Sequence, residues 1–251
     1  MTLLLLVLFA VASNTILDRI NTTSWDKTLW VGIFPMNADG SPVAENYVRS
    51  LKVEDFAGLE AFFGDEAARY GVKVRRPVRI ELYPSPRELP PTLVPHPNVL
   101  QTMWWSLKMR WYARSAANVP GRPPSHIRVF VLYHDPAINE RVPHSLGLQK
   151  GLVGVVHAFA DRRMAGSNSI VIAHETFHTV GATDKYDLDD GRPIYPEGYA
   201  EPDRKPRFPQ RYAEIMAGER AISEREQEMP ESLAGVRVGA QTAAEIGWTA
   251  K

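Results

Sequence analysis

Hydrophobic and polar positions follow two different periods along this chain, which predicts both strands and helices. Apolar and polar residues alternate over 78–83, a pattern typical of a half-buried strand. Mostly apolar runs predict further strands at 28–35, 127–133 and 151–160. The sequence therefore predicts a sheet whose strands are spread over the first two thirds of the chain.

Apolar residues that recur every three or four positions predict the helices. This spacing covers 43–51, 53–70, 98–117 and 167–180, and a short helix is predicted at 240–248. Because strands and helices interleave, we expect an α+β or α/β domain built on one sheet.

Two further segments stand out from this pattern. The helix predicted at 98–117 carries four large aromatic residues, which we interpret as core and interface packing: Trp104, Trp105, Trp111 and Tyr112. Residues 182–211 form a polar segment rich in Pro, Gly, Asp and Tyr, and a loop of that length in a compact domain is usually functional.

The N-terminal segment is interpreted as a signal peptide or membrane anchor over residues 1–23, followed by one domain over 24–251. Leu3–Ala12 is an unbroken apolar run, shorter than the about 20 residues that span a bilayer, and Ala10-Val11-Ala12 resembles a cleavage site. We therefore expect an exported or membrane-anchored protein, with residues 3–17 as the membrane-associating segment. A buried N-terminal helix or strand is the alternative.

Composition excludes several functional classes. Lys and Arg number 29, as do Asp and Glu, so the basic excess of a nucleic-acid-binding protein is missing and no nucleic-acid partner is expected. Cysteine is absent, which excludes disulfide scaffolds, thiolate zinc sites, iron–sulfur clusters and cysteine nucleophiles.

The motif that carries chemistry is His174-Glu175-Thr176-Phe177-His178, an H-E-x-x-H pattern on the helix predicted at 167–180. Residues four apart share one helix face, so both imidazoles can reach one metal ion, and Glu175 lies beside the first of them. Zinc suits such ligands, because it binds imidazole and carboxylate in a tetrahedron with one open position.

The motif continues with Gly181, whose freedom to adopt positive φ would end the helix sharply, and then with Asp184. The string His-Glu-x-x-His-x-x-Gly-x-x-Asp resembles the metzincin metalloproteases, and in particular the snapalysins, which have Asp at the last position. The resemblance covers about residues 127–251.

The resemblance implies a zincin-like α+β fold with a mainly parallel sheet, an active-site helix, a Met-turn and a C-terminal helix. It makes Asp184 the third zinc ligand and Met216 the apex of the Met-turn. By the same resemblance, the protein would be a zinc metalloendopeptidase acting on peptide or protein substrates.

The expected mechanism has Glu175 as the general base that acts on zinc-bound water. We expect the substrate to lie along 151–160 as an added strand, because an edge strand binds a peptide backbone with little sequence preference. Tyr186 and Tyr212 are candidates to stabilise the oxyanion, as are Tyr195 and Tyr199, and the sequence does not choose among them.

Several alternatives remain open at this stage. Asp187, Asp189 and Asp190 compete with Asp184 as a ligand, and Glu197 or Glu214 would be the third ligand in a thermolysin-type site. The two histidines could also be plain hydrogen-bonded residues. The alternative function is a non-hydrolytic, zincin-fold interaction protein in which zinc is structural.

Overall fold

The computed structural model describes residues 22–149 and 151–249. Apart from its last two residues, the segment predicted as a signal peptide or anchor lies outside the described residues, as does the whole of 3–17. Within the described part of the chain, no helix is both long enough and apolar enough to cross a membrane.

A five-stranded sheet forms the centre of the fold. Its strands are β1 (Leu29–Asn37), β2 (Val78–Leu82), β3 (Ile127–His134), β4 (Leu146–Leu148) and β5 (Val153–Phe159). Their order is β2-β1-β3-β5-β4, and every neighbouring pair is parallel except β4 with β5. The prediction of an α+β chain with a mainly parallel sheet is confirmed.

The helices are α1 (Pro42–Ser50), α2 (Ala57–Arg69), α3 (Val99–Ala116), α4 (Ala165–Thr179) and α5 (Ala240–Glu245). They agree closely with the helices predicted from apolar spacing, except that a 3₁₀ turn precedes α2 and that α5 ends before the predicted limit. Local sequence sets their starts. Asn98 and Gln101, for example, form a reciprocal capping box at the beginning of α3.

Two hydrophobic cores lie on opposite faces of the sheet, because successive strand residues point to opposite sides. Val31 and Val129 belong to the core that packs against α1, α2, α4 and the C-terminal segment. Phe34 and Phe130 belong to the second core, which α3 covers through Trp105, Met109 and Tyr112. The central strands are buried on both faces, as expected for parallel strands between helix layers.

The chain after α4 folds mainly into loops, joined by two short strand pairs. β6 (Ala213–Glu214) pairs in parallel with β9 (Val236–Arg237), and β7 (Arg220–Ala221) pairs with β8 (Gln227–Glu228). The β6–β9 pair brings the segment around Met216 beside the approach to α5.

The strand expected at the edge of the sheet was wrong. Strand β4 was not predicted, and it pairs with Val153–Val155 of β5, so the edge of the sheet lies at β4 rather than along 151–160. Trp105 and Tyr112 are in the core as predicted, whereas Trp104 and Trp111 are exposed on the outside of α3. Helical spacing places them on the face turned away from the sheet.

Phe63 provides a test of the larger core. Its ring lies 4.7 Å from that of Phe177, centroid to centroid, and both side chains are buried. We expect Phe63→Ala to lower the free energy of unfolding by about 3–5 kcal/mol, because it leaves a cavity between α2 and α4. Urea unfolding measures this, with exposed Ile138→Ala as the control; a loss below about 1 kcal/mol for Phe63→Ala would contradict the packing.

Candidate metal centre

Three side chains that the sequence singled out meet at one point. Nε2 of His174 lies 3.1 Å from Nε2 of His178. Oδ1 of Asp184 lies 3.1 Å from each of these nitrogens. In the part of the chain that the structure describes, these residues form the group suited to holding a metal ion.

Helix α4 and two main-chain carbonyls orient the imidazoles. Nδ1 of His174 lies 2.9 Å from the carbonyl oxygen of Ile215. Nδ1 of His178 lies 2.9 Å from the carbonyl oxygen of Ala182. A carbonyl can only accept, so Nδ1 donates and Nε2 of the neutral ring keeps its lone pair for a metal. This second set of hydrogen bonds is typical of metal-binding histidines.

The turn at Gly181 brings Asp184 back to the helix that carries the histidines. Gly181 adopts a φ of 110°, and the amide of Ala182 bonds back to the carbonyl of Phe177 at 3.1 Å. The predicted helix-ending turn is therefore present. It also places the carbonyl of Ala182 where the ring of His178 reaches it.

Glu245, the last residue of α5, fixes both neighbours of Asp184. Its carboxylate accepts hydrogen bonds from the amide and hydroxyl of Thr183 at 2.9 and 3.0 Å. It also pairs with Nζ of the buried Lys185 at 2.8 Å. The amide of Lys185 donates to the carbonyl of Met216 at 3.0 Å. The residues on either side of Asp184 are therefore both bound to Glu245, which fixes the position of Asp184.

Met216 lies in a turn over 215–217 and is fully buried, as the Met-turn expectation requires. Glu214, also fully buried, organises this turn. One carboxylate oxygen accepts the amides of Met216 and Ala217 at 2.6 and 3.1 Å. The other accepts the amide of Gly239 and the hydroxyl of Thr242, at the start of α5, at 3.0 and 2.8 Å.

Glu175 points a carboxylate oxygen into a buried space. The residue is 5% exposed, and its Oε2 has no hydrogen-bond partner. A buried, unpaired carboxylate oxygen is costly and is common where a water or ligand belongs. Gly147 of β4 lies against this group, since a Cβ there would overlap the backbone oxygen of Glu175 and the Cβ of His178.

The charges of the site shift the pKa values of its members. Burial alone would lower the pKa of His178. The hydrogen bonds of its ring to Asp184 and to the Ala182 carbonyl, together with the charges of Asp184 and Glu175, outweigh burial and raise this pKa. Although burial opposes it, hydrogen bonding to the two histidines holds the pKa of Asp184 well below its usual range. Burial raises the pKa of Glu175, and Asp184 adds to this rise.

Of the four candidate tyrosines, Tyr186 packs beside the cluster. Its ring centroid is 6.5 Å from that of His174, and its pKa is raised by burial and then by Asp184 and Glu175. Tyr212 instead lies under the guanidinium of Arg237, 3.9 Å from the ring centroid. Tyr195 and Tyr199 pack edge to face against each other.

The rival ligands have other contacts. Asp187 accepts the amide of Asp189 at 2.8 Å, and Asp190 accepts that of Arg192 at 3.0 Å, so both shape the loop. Glu197 is exposed. Glu214 uses both oxygens to hold the Met216 turn and α5. The geometry thus groups Asp184, rather than these residues, with the two histidines.

The three donors fit zinc. Ligand atoms about 2.0–2.1 Å from a tetrahedral zinc ion lie about 3.3 Å from one another, close to the spacing of 3.1 Å seen here. Two neutral imidazoles and one carboxylate are also a donor set that zinc accepts.

The chain was compared with known proteins. No protein-family model matches it. No curated protein matches it significantly either. The residues of the site themselves must therefore support any functional proposal.

Three residues of the site were missed by sequence reasoning. Gly147 had a weak signal, since a lone glycine in a short apolar segment indicates a close backbone approach. The sequence indicated Glu214 only as a possible ligand, not as the residue that holds the turn. No local pattern indicated Glu245, because its partners are distant in sequence. All three act by positioning the residues of the motif.

The Asp184–His178 pair predicts how stability depends on pH in metal-free protein. The stabilisation from Asp184 is lost as pH falls below 3.8, its ordinary pKa, toward its lowered folded value. The stabilisation from His178 is lost as pH rises from 6.5 through its raised folded value. With chelator present, we expect Asp184→Asn to reduce the free energy of unfolding most between these limits. Urea unfolding at several pH values measures this.

The matched control for this pH series is the exposed Asp203→Asn, which should change stability little at any pH. A destabilisation by Asp184→Asn that stays the same from about pH 5 to 8 would contradict the coupling.

Glu214→Gln tests the support of the Met216 turn. The side-chain amide would present its NH₂ to donors, so we expect unfolding to become easier by about 1–3 kcal/mol. Because the Ile215 carbonyl orients His174, zinc affinity should fall about 10- to 100-fold. Competition with a chromophoric chelator measures affinity, and Glu219→Gln is the nearby control. If the Glu214→Gln protein is destabilised but keeps its zinc affinity, the Met216 turn does not position His174 for metal binding.

Proposed function

We propose that this chain is a zinc-dependent endopeptidase of metzincin-like type. His174, His178 and Asp184 would hold the zinc ion, and Glu175 would be the general base. The observation that carries the proposal is the mutual 3.1 Å spacing of three ligand atoms beside the unpaired oxygen of Glu175. The Gly181 turn and the buried Met216 turn add support.

The chemistry divides between the metal and the carboxylate of Glu175. Bound zinc would act as a Lewis acid that acidifies water and polarises the peptide carbonyl. Glu175 accepts the proton of the attacking water at its free oxygen and later delivers it to the leaving amine. Burial supports this role because it raises the pKa of Glu175, which makes its carboxylate a stronger base.

Tyr186 is the proposed donor to the negative charge that develops on the carbonyl oxygen. Its raised pKa keeps the hydroxyl protonated at neutral pH, as a hydrogen-bond donor must be. Its proximity to His174 and its interaction with Asp184 place it at the edge of the cluster. Tyr212 is set aside for this role because its ring is engaged by Arg237.

The substrate backbone would pair with β4. This strand is the edge of the sheet, and Gly147 at its centre lies directly against the Glu175 and His178 region of α4. An extended peptide added at this edge would pass beside the three ligands. Main-chain pairing gives affinity with little dependence on side chains, as a peptidase of broad preference needs.

A purely structural role for zinc is less well supported. Thr183 and Lys185 already tie the loop around Asp184 to Glu245. The loop therefore has protein contacts that hold it without a metal. A structural site would also have no use for a buried, unpaired carboxylate at Glu175.

Two substitutions test the proposal. We expect Glu175→Gln to retain one zinc per chain while peptide hydrolysis falls by about 100-fold or more, because the base is lost and the ligands are not. Asp184→Ala should lose both zinc and activity. Elemental analysis after dialysis measures the metal, and cleavage of a quenched-fluorescent peptide library measures hydrolysis.

Glu197→Ala is the matched control, because it removes an exposed carboxylate of the same loop and should change neither quantity. Full activity in Glu175→Gln would exclude the proposed base. A parent protein that takes up no zinc after reconstitution would leave a hydrogen-bonded His–His–Asp cluster and overturn the peptidase proposal.

A further inference from the structure

Helix α3 presents large apolar side chains to solvent as well as to the core. They follow helical spacing on the side turned away from the sheet and are 55–76% exposed: Leu100, Met103, Trp104, Leu107 and Trp111. We refer to these five residues as the outer stripe. An exposed apolar surface of this kind, with two tryptophans, marks an interaction site rather than ordinary surface.

Basic side chains lie beside the outer stripe and at its C-terminal end. At about 100° per residue, Lys108 lies about 40° from Trp104 and outside the stripe, whereas Arg114 follows Trp111 about 80° to the other side of Trp104. Both are exposed. Long basic side chains in this position can extend from an apolar surface toward anionic groups while their stems stay on it.

The surrounding sequence is strongly one-sided in charge. Residues 89–134 contain five basic residues, Lys108, Arg110, Arg114, Arg122 and Arg128, and no Asp or Glu. The whole chain has 29 residues of each sign, so this segment departs sharply from the balance elsewhere. The partner of the outer stripe should therefore be anionic as well as apolar.

A cavity of about 550 Å³ opens at the C-terminal end of the stripe. Trp111, Arg114 and Arg128 are among the residues that line it. The exposed guanidinium of Arg114 beside an exposed indole provides a place for an anionic headgroup next to the apolar surface.

We propose that α3 lies on an anionic lipid bilayer, with the outer stripe in the interfacial region and phosphate groups at Arg114 and the adjoining cavity. Tryptophan prefers the membrane–water interface, and basic residues beside an apolar helix face favour anionic lipids. Pairing of two copies through the stripe would bring the like charges of Lys108 and Arg114 together, which disfavours a dimer.

Fluorescence quenching reports contact of the stripe itself with lipid, whatever other segment binds. Trp25, Trp105 and Trp248 are buried, and Trp30 is half-buried beneath Arg79, whereas Trp104 and Trp111 are exposed. With the full chain, vesicles of phosphatidylglycerol and phosphatidylcholine in equal parts, brominated near the headgroup, should quench tryptophan emission. The double variant Trp104→Phe/Trp111→Phe should still bind these vesicles but lose most of the quenching.

Charge variants test the anionic preference. We expect Lys108→Gln/Arg114→Gln to lower the vesicle partition coefficient about 10- to 30-fold. Arg75→Gln/Arg76→Gln removes the same charge from an exposed segment outside α3 and should change it by less than about twofold. Vesicle flotation measures both, and the difference should shrink as salt is raised.

Three outcomes would overturn the proposal. One is the absence of quenching in a parent protein that is bound to the vesicles, since the contact would then lie elsewhere. Another is an equal loss of binding in both pairs of charge variants. The third is a lipid-free dimer that Trp104→Ser/Trp111→Ser converts to a monomer, which would assign the stripe to a second copy of the chain.

Discussion

Two hydrogen bonds from imidazole rings to main-chain carbonyls determine whether the candidate site exists. They join Nδ1 of His174 to Ile215 and Nδ1 of His178 to Ala182. Without them, each ring could rotate and the two Nε2 atoms would not face the same point. The helix supplies only the spacing of the histidines, whereas the carbonyls supply their direction. Segments far apart in the chain must therefore be in place before the motif can bind anything.

Two carboxylates, the buried one of Glu214 and the half-buried one of Glu245, bring those segments into place around α5. Glu214 joins the Met216 turn to the start of the helix through four hydrogen bonds. Glu245, at its other end, holds Thr183 and Lys185 on either side of Asp184. A helix of six residues has little stability of its own. Its importance here lies in connecting the turn that orients His174 to the loop that carries Asp184.

Local spacing predicted most of the regular elements and the two histidines of the cluster, whereas Asp184 was expected from the resemblance to metzincins. It did not predict β4, whose three residues are too few to establish a period. It indicated core and interface packing for the aromatic residues of α3 without separating the two, since a helix with apolar residues on every side gives no local sign of which side faces the sheet. The roles of Gly147 and Glu245 depend on contacts between distant segments, which no local pattern records.

The sheet separates the molecule into two sides. The His174 cluster lies on the side that α4 covers, and the outer stripe lies beyond α3 on the opposite side. With neighbouring strands about 4.8 Å apart, five strands form a rigid partition roughly 20 Å across. A surface that lies flat on α3 is therefore separated from the cluster by the whole thickness of the sheet.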